Sequence, residues 1–306
     1  MVGFLFRATA WPAYFIAVIW LAAAVYIKSQ QVQGPFSQTE WGIVFALLLF
    51  QLFTIDWGIR SNGWVKNRSD HLYFFPLLFL SLPWTINDLS LMFFASFLWL
   101  AFLQLTRFSQ KRGGQKHIFN ASFLWLTAVL FFPQGIYFFP MIWILMGVFR
   151  KFKTDHFILS LLPFLAFALL EGIAVFFEMH LLPASFSSFT GFSFPLSWGV
   201  FEGISLGALL LICFLSGINH LADLNARSAA YGTGINALLL LLVFSVLFGS
   251  FVASANTHPW GILAIVACSL FPRWIEKIKR PLTREITIAF IFLVFLANRY
   301  VDIVAM

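Results

Sequence analysis

Charge is scarce in this sequence. Asp, Glu, Lys and Arg make up 10% of its 306 residues and 61% are apolar, against roughly 25% and 45–50% in an ordinary soluble domain. That shortage excludes a water-soluble globule. Cysteine is nearly absent as well. Cys213 and Cys268 both fall in apolar runs, without Cys-x-x-Cys or zinc-ligand spacing, so a disulfide framework, a zinc site and dithiol redox chemistry lack support. No Gly-x-x-x-x-Gly-Lys phosphate loop occurs, which leaves ATP-driven transport by this chain alone without a motif.

What the chain has instead is hydrophobic length. Phe alone fills 41 positions, and at roughly 20 residues per span the chain has room for about ten to twelve transmembrane helices. The apolar runs give eleven: 10–27, 41–57, 71–86, 89–108, 118–132, 135–149, 156–178, 197–217, 235–253, 259–272 and 285–301. The expected fold is an all-α polytopic bundle forming one integral membrane domain over 1–306. Arg7, the apolar stretch after it and Ala22-Ala23-Ala24 look like a signal peptide, but ten further spans favour an uncleaved first helix.

Basic residues in connecting segments set orientation, because positive loops stay in the cytoplasm. With the N-terminus inside, 17 of the 19 Lys and Arg residues lie on the cytoplasmic side, leaving only Lys28 and Arg299 outside. Six acids fall on each side, giving +11 inside and −4 outside. The net charge of +7 is thus a topology signal and implies no nucleic-acid partner. The segment 218–234, with Arg227 alone, is the weakest point of the alternation.

Pro133-Gln134-Gly135 reads as a tight helical hairpin, and Asn87-Asp88 as a cap after Pro83. The long outer loop from Met179 to Leu196 reads as an interfacial or re-entrant segment. Arg68-Ser69-Asp70-His71 and Lys153-Thr154-Asp155-His156 form a faint repeat, each opening an apolar helix, as expected of an acid at the positive end of a helix dipole.

An ionisable group inside a span costs at least roughly 2.5–3.5 kcal/mol and marks a pathway or site. Glu171 stands out on that ground, in the outer half of the seventh span, and Glu202 lies at similar depth on the eighth. Two such carboxylates can share a proton, hold a cation or act as an acid and base pair. Glu40, Asp88, Glu178, His180 and His258 sit at outer helix ends, forming an acidic rim that is a candidate for general acid-base work or a divalent cation. Taken singly, each reads as a cap or an interfacial residue.

Gly203-Ile204-Ser205-Leu206-Gly207 matches the nucleophile-elbow pattern but lies within an apolar span, where close helix packing through the glycines explains it better. His71, His117, His156 and His220 fall near inner helix ends without metal-ligand spacing, so an iron site is not indicated. Arg273-Trp274-Ile275-Glu276-Lys277-Ile278-Lys279-Arg280 mixes apolar residues with four cations. It should lie on the inner leaflet, with Arg273, Lys277, Lys279 and Arg280 on anionic head groups.

The stretch from Lys66-Asn67 through Lys116-His117-Ile118-Phe119-Asn120-Ala121-Ser122-Phe123 and Leu130-Phe131-Phe132-Pro133 to about Gly172 resembles an uncharacterised multi-pass inner-membrane protein family of Bacteroidota. The Phe6-Arg7-Ala8-Thr9-Ala10-Trp11-Pro12 opening is similar too. The resemblance implies a bacterial inner membrane and carries over no catalytic residue. The arrangement is also faintly similar to polyprenyl-linked multi-spanning glycosyltransferases, which use outer-face carboxylates. Here the first outer loop offers only Glu40, at its far end.

The expected function is therefore cell-envelope biogenesis at the outer face, on a lipid-linked sugar, with Asp88, Glu40, Glu171 and Glu202 as candidate catalytic acids. A non-catalytic scaffold or partner subunit of an envelope assembly, and a proton- or cation-coupled carrier using Glu171 and Glu202, are the alternatives. No cofactor is expected beyond the divalent cation that the acids leave open. The expected partners are membrane lipids, a lipid-linked sugar and other inner-membrane proteins.

Overall fold

A computed structural model describes residues 11–31, 37–64, 70–81, 89–109, 114–151, 153–176, 200–222, 229–252 and 261–305. The described chain is all helical, with no strand. Its helices are α1 (Trp11–Gln31), α2 (Gln38–Ser61), α3 (His71–Ser81), α4 (Leu89–Ser109), α5 (Gly114–Phe131), a 3-10 turn (Pro133–Phe138), α6 (Met141–Val148), α7 (Thr154–Phe176), α8 (Val200–Ala222), α9 (Ala229–Val252), α10 (Gly261–Lys277) and α11 (Pro281–Ala305). Each overlaps one of the apolar runs. In lipid the backbone must satisfy its own hydrogen bonds, so an apolar run of this length folds as a helix.

Among the described residues, five helices are long and apolar enough to cross a membrane, covering Pro12–Gln30, Gln38–Ser61, Leu89–Ser109, Thr154–Ala174 and Gly232–Gly249. His71–Leu80, Pro133–Val148 and Leu206–Ala222 are apolar but shorter. The count of membrane crossings therefore does not follow from helix length alone.

Burial identifies the centre. A helix apolar all round belongs in a core, and every residue of α3 from His71 to Leu80 is buried, as is the stretch of α10 from Ile262 to Pro272. These two helices meet through Phe74 and Phe271, stacked with centroids 4.0 Å apart, and Phe74 also meets Phe295 of α11 edge-on. Around α3 pack α1, α2, α10 and α11. The tightest pair is α4 with α5, and α7 is laid against α5 at the periphery.

Phenylalanine makes many of the joints. Phe94 of α4, Phe138 of the 3-10 turn and Phe248 of α9 form one cluster, with Phe138 and Phe248 4.6 Å apart. Its tightness explains Gly135 in the hairpin, where a Cβ would come within 2.3 Å of the Phe94 ring. Trp125 Nε1 donates to the Gly135 carbonyl and fixes that turn to α5. Polar side chains also join helices, as expected in lipid: Gln51 of α2 donates to Ser96 Oγ of α4 at 2.8 Å.

Side-chain contacts also fix which helix ends share a level. Tyr14 near the start of α1 and His71 at the start of α3 both touch Asp56 near the end of α2. Arg107 near the end of α4 lies over the Trp57 ring at 4.0 Å. Gln104 meets His117 at the start of α5. Lys151, just before α7, donates to the Phe108 and Ser109 carbonyls at the end of α4. Lys277, ending α10, donates to the Asn219 carbonyl near the end of α8. Successive helices thus run up and down, and one end of the bundle gathers these basic side chains. The outer surface is correspondingly apolar: Ile158, Leu162, Leu165, Leu169 and Ile173 of α7 are all exposed, Leu169 by 69%, as suits a lipid-facing stripe.

Candidate functional site

The basic end holds the most concentrated chemistry among the described residues. Asp56 occupies the last part of α2, within an apolar stretch, and is buried. Four residues on, Arg60 returns its Nε to both carboxylate oxygens, at 2.7 and 2.9 Å, the i,i+4 geometry a helix provides. Arg60 keeps 34% of its side chain exposed, so its charge reaches the surface while Asp56 stays inside. Tyr14 of α1 donates its hydroxyl to Oδ2 of the same carboxylate. His71, fully buried, meets Oδ1 through Nε2 at 2.7 Å.

One carboxylate therefore ties three helices together. α3 begins here because the Asp70 carbonyl accepts the Tyr73 and Phe74 amides, which closes the first turn and points His71 at α2. Gly58, two residues beyond Asp56, lets α4 approach, since a Cβ there would lie 2.7 Å from Leu103 and 3.1 Å from Trp99. With Asp56 ionised, His71 Nε2 is the donor of the bond between them. Nδ1 is buried and has no hydrogen-bond partner. The pair has the parts to take up and release a proton, with Tyr14 fixing the carboxylate.

The acids expected at the outer face fare differently. Glu40 closes a capping box at the start of α2: its carboxylate accepts the Ser37 amide at 2.6 Å and Ser37 Oγ accepts the Glu40 amide at 3.3 Å. Glu171 is half-buried on α7. Glu202 lies in the first turn of α8, its side chain outside the described residues, as are Asp88, Glu178, His180, His258 and the loop 179–196. α7 packs chiefly on α5, and α8 on α10, so the helices carrying Glu171 and Glu202 are not each other's main neighbours. No three His, Cys, Asp or Glu side chains among the described residues are grouped to hold a metal ion.

The inner histidines take separate partners. His117 Nδ1 meets Gln104 Oε1 at 2.8 Å, His156 Nδ1 meets the Lys151 carbonyl at 2.7 Å, and His220 is buried on α8. The Asp-His repeat has two outcomes: His71 pairs with a carboxylate, whereas His156 pairs with a carbonyl and stands edge-on to Phe108. Of the cations expected on lipid, Arg273 bonds Glu276 at 2.6 Å and Lys277 caps α8, while Lys279 and Arg280 are exposed. Gly207 corrects one expectation. A Cβ there would meet nothing within 4 Å, so that glycine makes no close helix contact.

Asp56 was the residue to find from the sequence. It lies one residue inside the inner end of the run 41–57, so the cost that singled out Glu171 bears on it less directly. Arg60 beside it makes it read as the flank of a cytoplasmic loop instead. Comparison of the chain with protein-family models, with curated proteins and with solved structures finds no match.

Proposed function

We propose that this chain is a proton-coupled carrier of a bacterial inner membrane, with about eleven spans, its N-terminus in the cytoplasm, and Asp56 and His71 as the proton-handling pair. The observation that carries the reading is the burial of a carboxylate and an imidazole, 2.7 Å apart, where three helices meet. Buried ionisable groups in a membrane protein are costly and commonly serve ion or proton pathways. The up-and-down succession of helices and the gathering of basic side chains at one end support the topology, because that end faces the cytoplasm under the positive-inside rule. The bacterial setting rests on the resemblance of the stretch from Lys66 to about Gly172 to the Bacteroidota family. An outer-face enzyme on a lipid-linked sugar has less support, since Glu40 already serves as a helix cap.

The test is proton flux in liposomes containing the protein and an internal pH dye, challenged with organic acids, amino acids, nucleosides and sugar phosphates. One solute class should drive acidification in the wild type and none in Asp56→Asn. Acidification that survives Asp56→Asn, or none with any class when the protein is inserted, contradicts the carrier.

A further inference from the structure

α11 divides its length between two faces. Ile291 and Phe295 are buried, Phe295 edge-on to Phe74 of α3, and the helix packs on α3 and α8. Leu282, Ile286, Phe290 and Leu293 make the opposite face, each between 59% and 71% exposed. Spaced by three or four residues, they lie over one another as a single apolar stripe. From Leu282 to Leu293 that stripe runs about 16 Å at 1.5 Å per residue, close to half of the roughly 30 Å hydrocarbon core of a bilayer. It is as long as one leaflet is deep.

The turn between α10 and α11 sets the charge at the head of the stripe. Four cations are near it in sequence, and the structure separates them into two pairs. Arg273 bonds Glu276 at 2.6 Å and Lys277 donates to the Asn219 carbonyl at 2.7 Å, so both are engaged within the protein. Lys279 and Arg280 are exposed, immediately before Leu282. The next charges along α11, Arg284 and Glu285, are opposite in sign and cancel. The apolar stripe therefore ends on two exposed positive charges.

We propose that Lys279, Arg280 and the α11 stripe form a docking surface for one anionic glycerophospholipid. The phosphate of its head group lies against the two cations, and one acyl chain follows Leu282, Ile286, Phe290 and Leu293 down the helix. A zwitterionic lipid fills the stripe equally well but brings a cation of its own to the turn, so charge complementarity at Lys279 and Arg280 selects the anionic lipid. A free phosphate meets the same cations without the apolar contact. The surface is independent of the proton-coupled reading and stands or falls separately from it.

The test is native mass spectrometry of the full-length protein equilibrated with equal amounts of phosphatidylglycerol and phosphatidylcholine carrying the same chains. At about fivefold for each cation near an anionic lipid surface, the wild type should retain one phosphatidylglycerol in preference to phosphatidylcholine by about 25-fold. Lys279→Gln with Arg280→Gln should abolish the preference. Both side chains are exposed, and the Arg280 carbonyl that accepts the Arg284 amide belongs to the backbone, so the turn itself is kept. Lys116→Gln, which removes another exposed cation of the basic end, should leave the preference unchanged. Inorganic phosphate should not displace the retained lipid. Equal retention of the two lipids by the wild type, a preference that survives the double replacement or falls as far with Lys116→Gln, or displacement by inorganic phosphate would overturn the proposal.

Discussion

Asp56→Ala removes the one group that α1, α2 and α3 share. In the folded protein its carboxylate accepts from Tyr14, twice from Arg60 and from His71. Arg60 is part-exposed and regains water, so little is lost there. His71 cannot: it is fully buried and Nδ1 already lacks a partner, so Nε2 would become its second unsatisfied atom. Leaving a buried polar atom without its partner costs about 1–3 kcal/mol, and Asp56→Ala should fall toward the upper end of that range. Asp56→Asn keeps an oxygen for His71 but turns an amide toward the Arg60 donor, so about 1–3 kcal/mol is expected. Asp56→Leu with His71→Phe should be less destabilised than Asp56→Ala, because the fully buried imidazole is no longer stranded and only the part-buried Tyr14 hydroxyl loses its acceptor. The assay is unfolding in mixed micelles followed by tryptophan fluorescence, to which 12 Trp residues contribute. Asp56→Ala unfolding within about 0.5 kcal/mol of wild type, the range of an ordinary surface change, would refute the reasoning.

Other perturbations test the packing. Gly135→Ala drives a methyl into the Phe94 ring and should cost about 1–3 kcal/mol as overpacking, whereas Gly147→Ala, with open space around its Cβ, should be neutral or slightly stabilising in the same unfolding assay. Lys151→Met leaves the Phe108 and Ser109 carbonyls without their charged donor. It should destabilise by about 1.5–3 kcal/mol and increase hydrogen exchange at the end of α4 before elsewhere.

The helices were legible because apolar runs leave the backbone no alternative in lipid, and the burial of α3 was foreshadowed by Leu72-Tyr73-Phe74-Phe75 and Leu77-Leu78-Phe79-Leu80, which have no polar face. Ser37-Gln38-Thr39-Glu40 is a capping box readable as such, so one of the four candidate acids already carried its structural role in the sequence. Packing partners were less accessible. Lys151 read as a cytoplasmic loop cation and Lys277 as a head-group contact, yet each reaches a carbonyl 42 to 58 positions away, which no local pattern encodes. Gly207 and Gly135 look alike as letters and differ only in what faces them. The pairing of Asp56 with His71 is intermediate: both were visible as polar residues at the cytoplasmic edge, but their meeting depends on where α2 ends and α3 begins.

The most direct test of the account is which side of the membrane the two ends of the bundle face, since an inward site for Asp56 and His71 depends on it. Lys116→Cys, Lys153→Cys and Lys279→Cys at the basic end and Gln38→Cys at the other are all at exposed positions, and Met306→Cys marks the C-terminus. Labelled with a membrane-impermeant maleimide, the first three should react only from the cytoplasmic side, and Gln38→Cys and Met306→Cys only from outside. Reaction of Gln38→Cys from the same side as Lys116→Cys, or of Met306→Cys from the cytoplasm alone, would contradict the eleven-span arrangement.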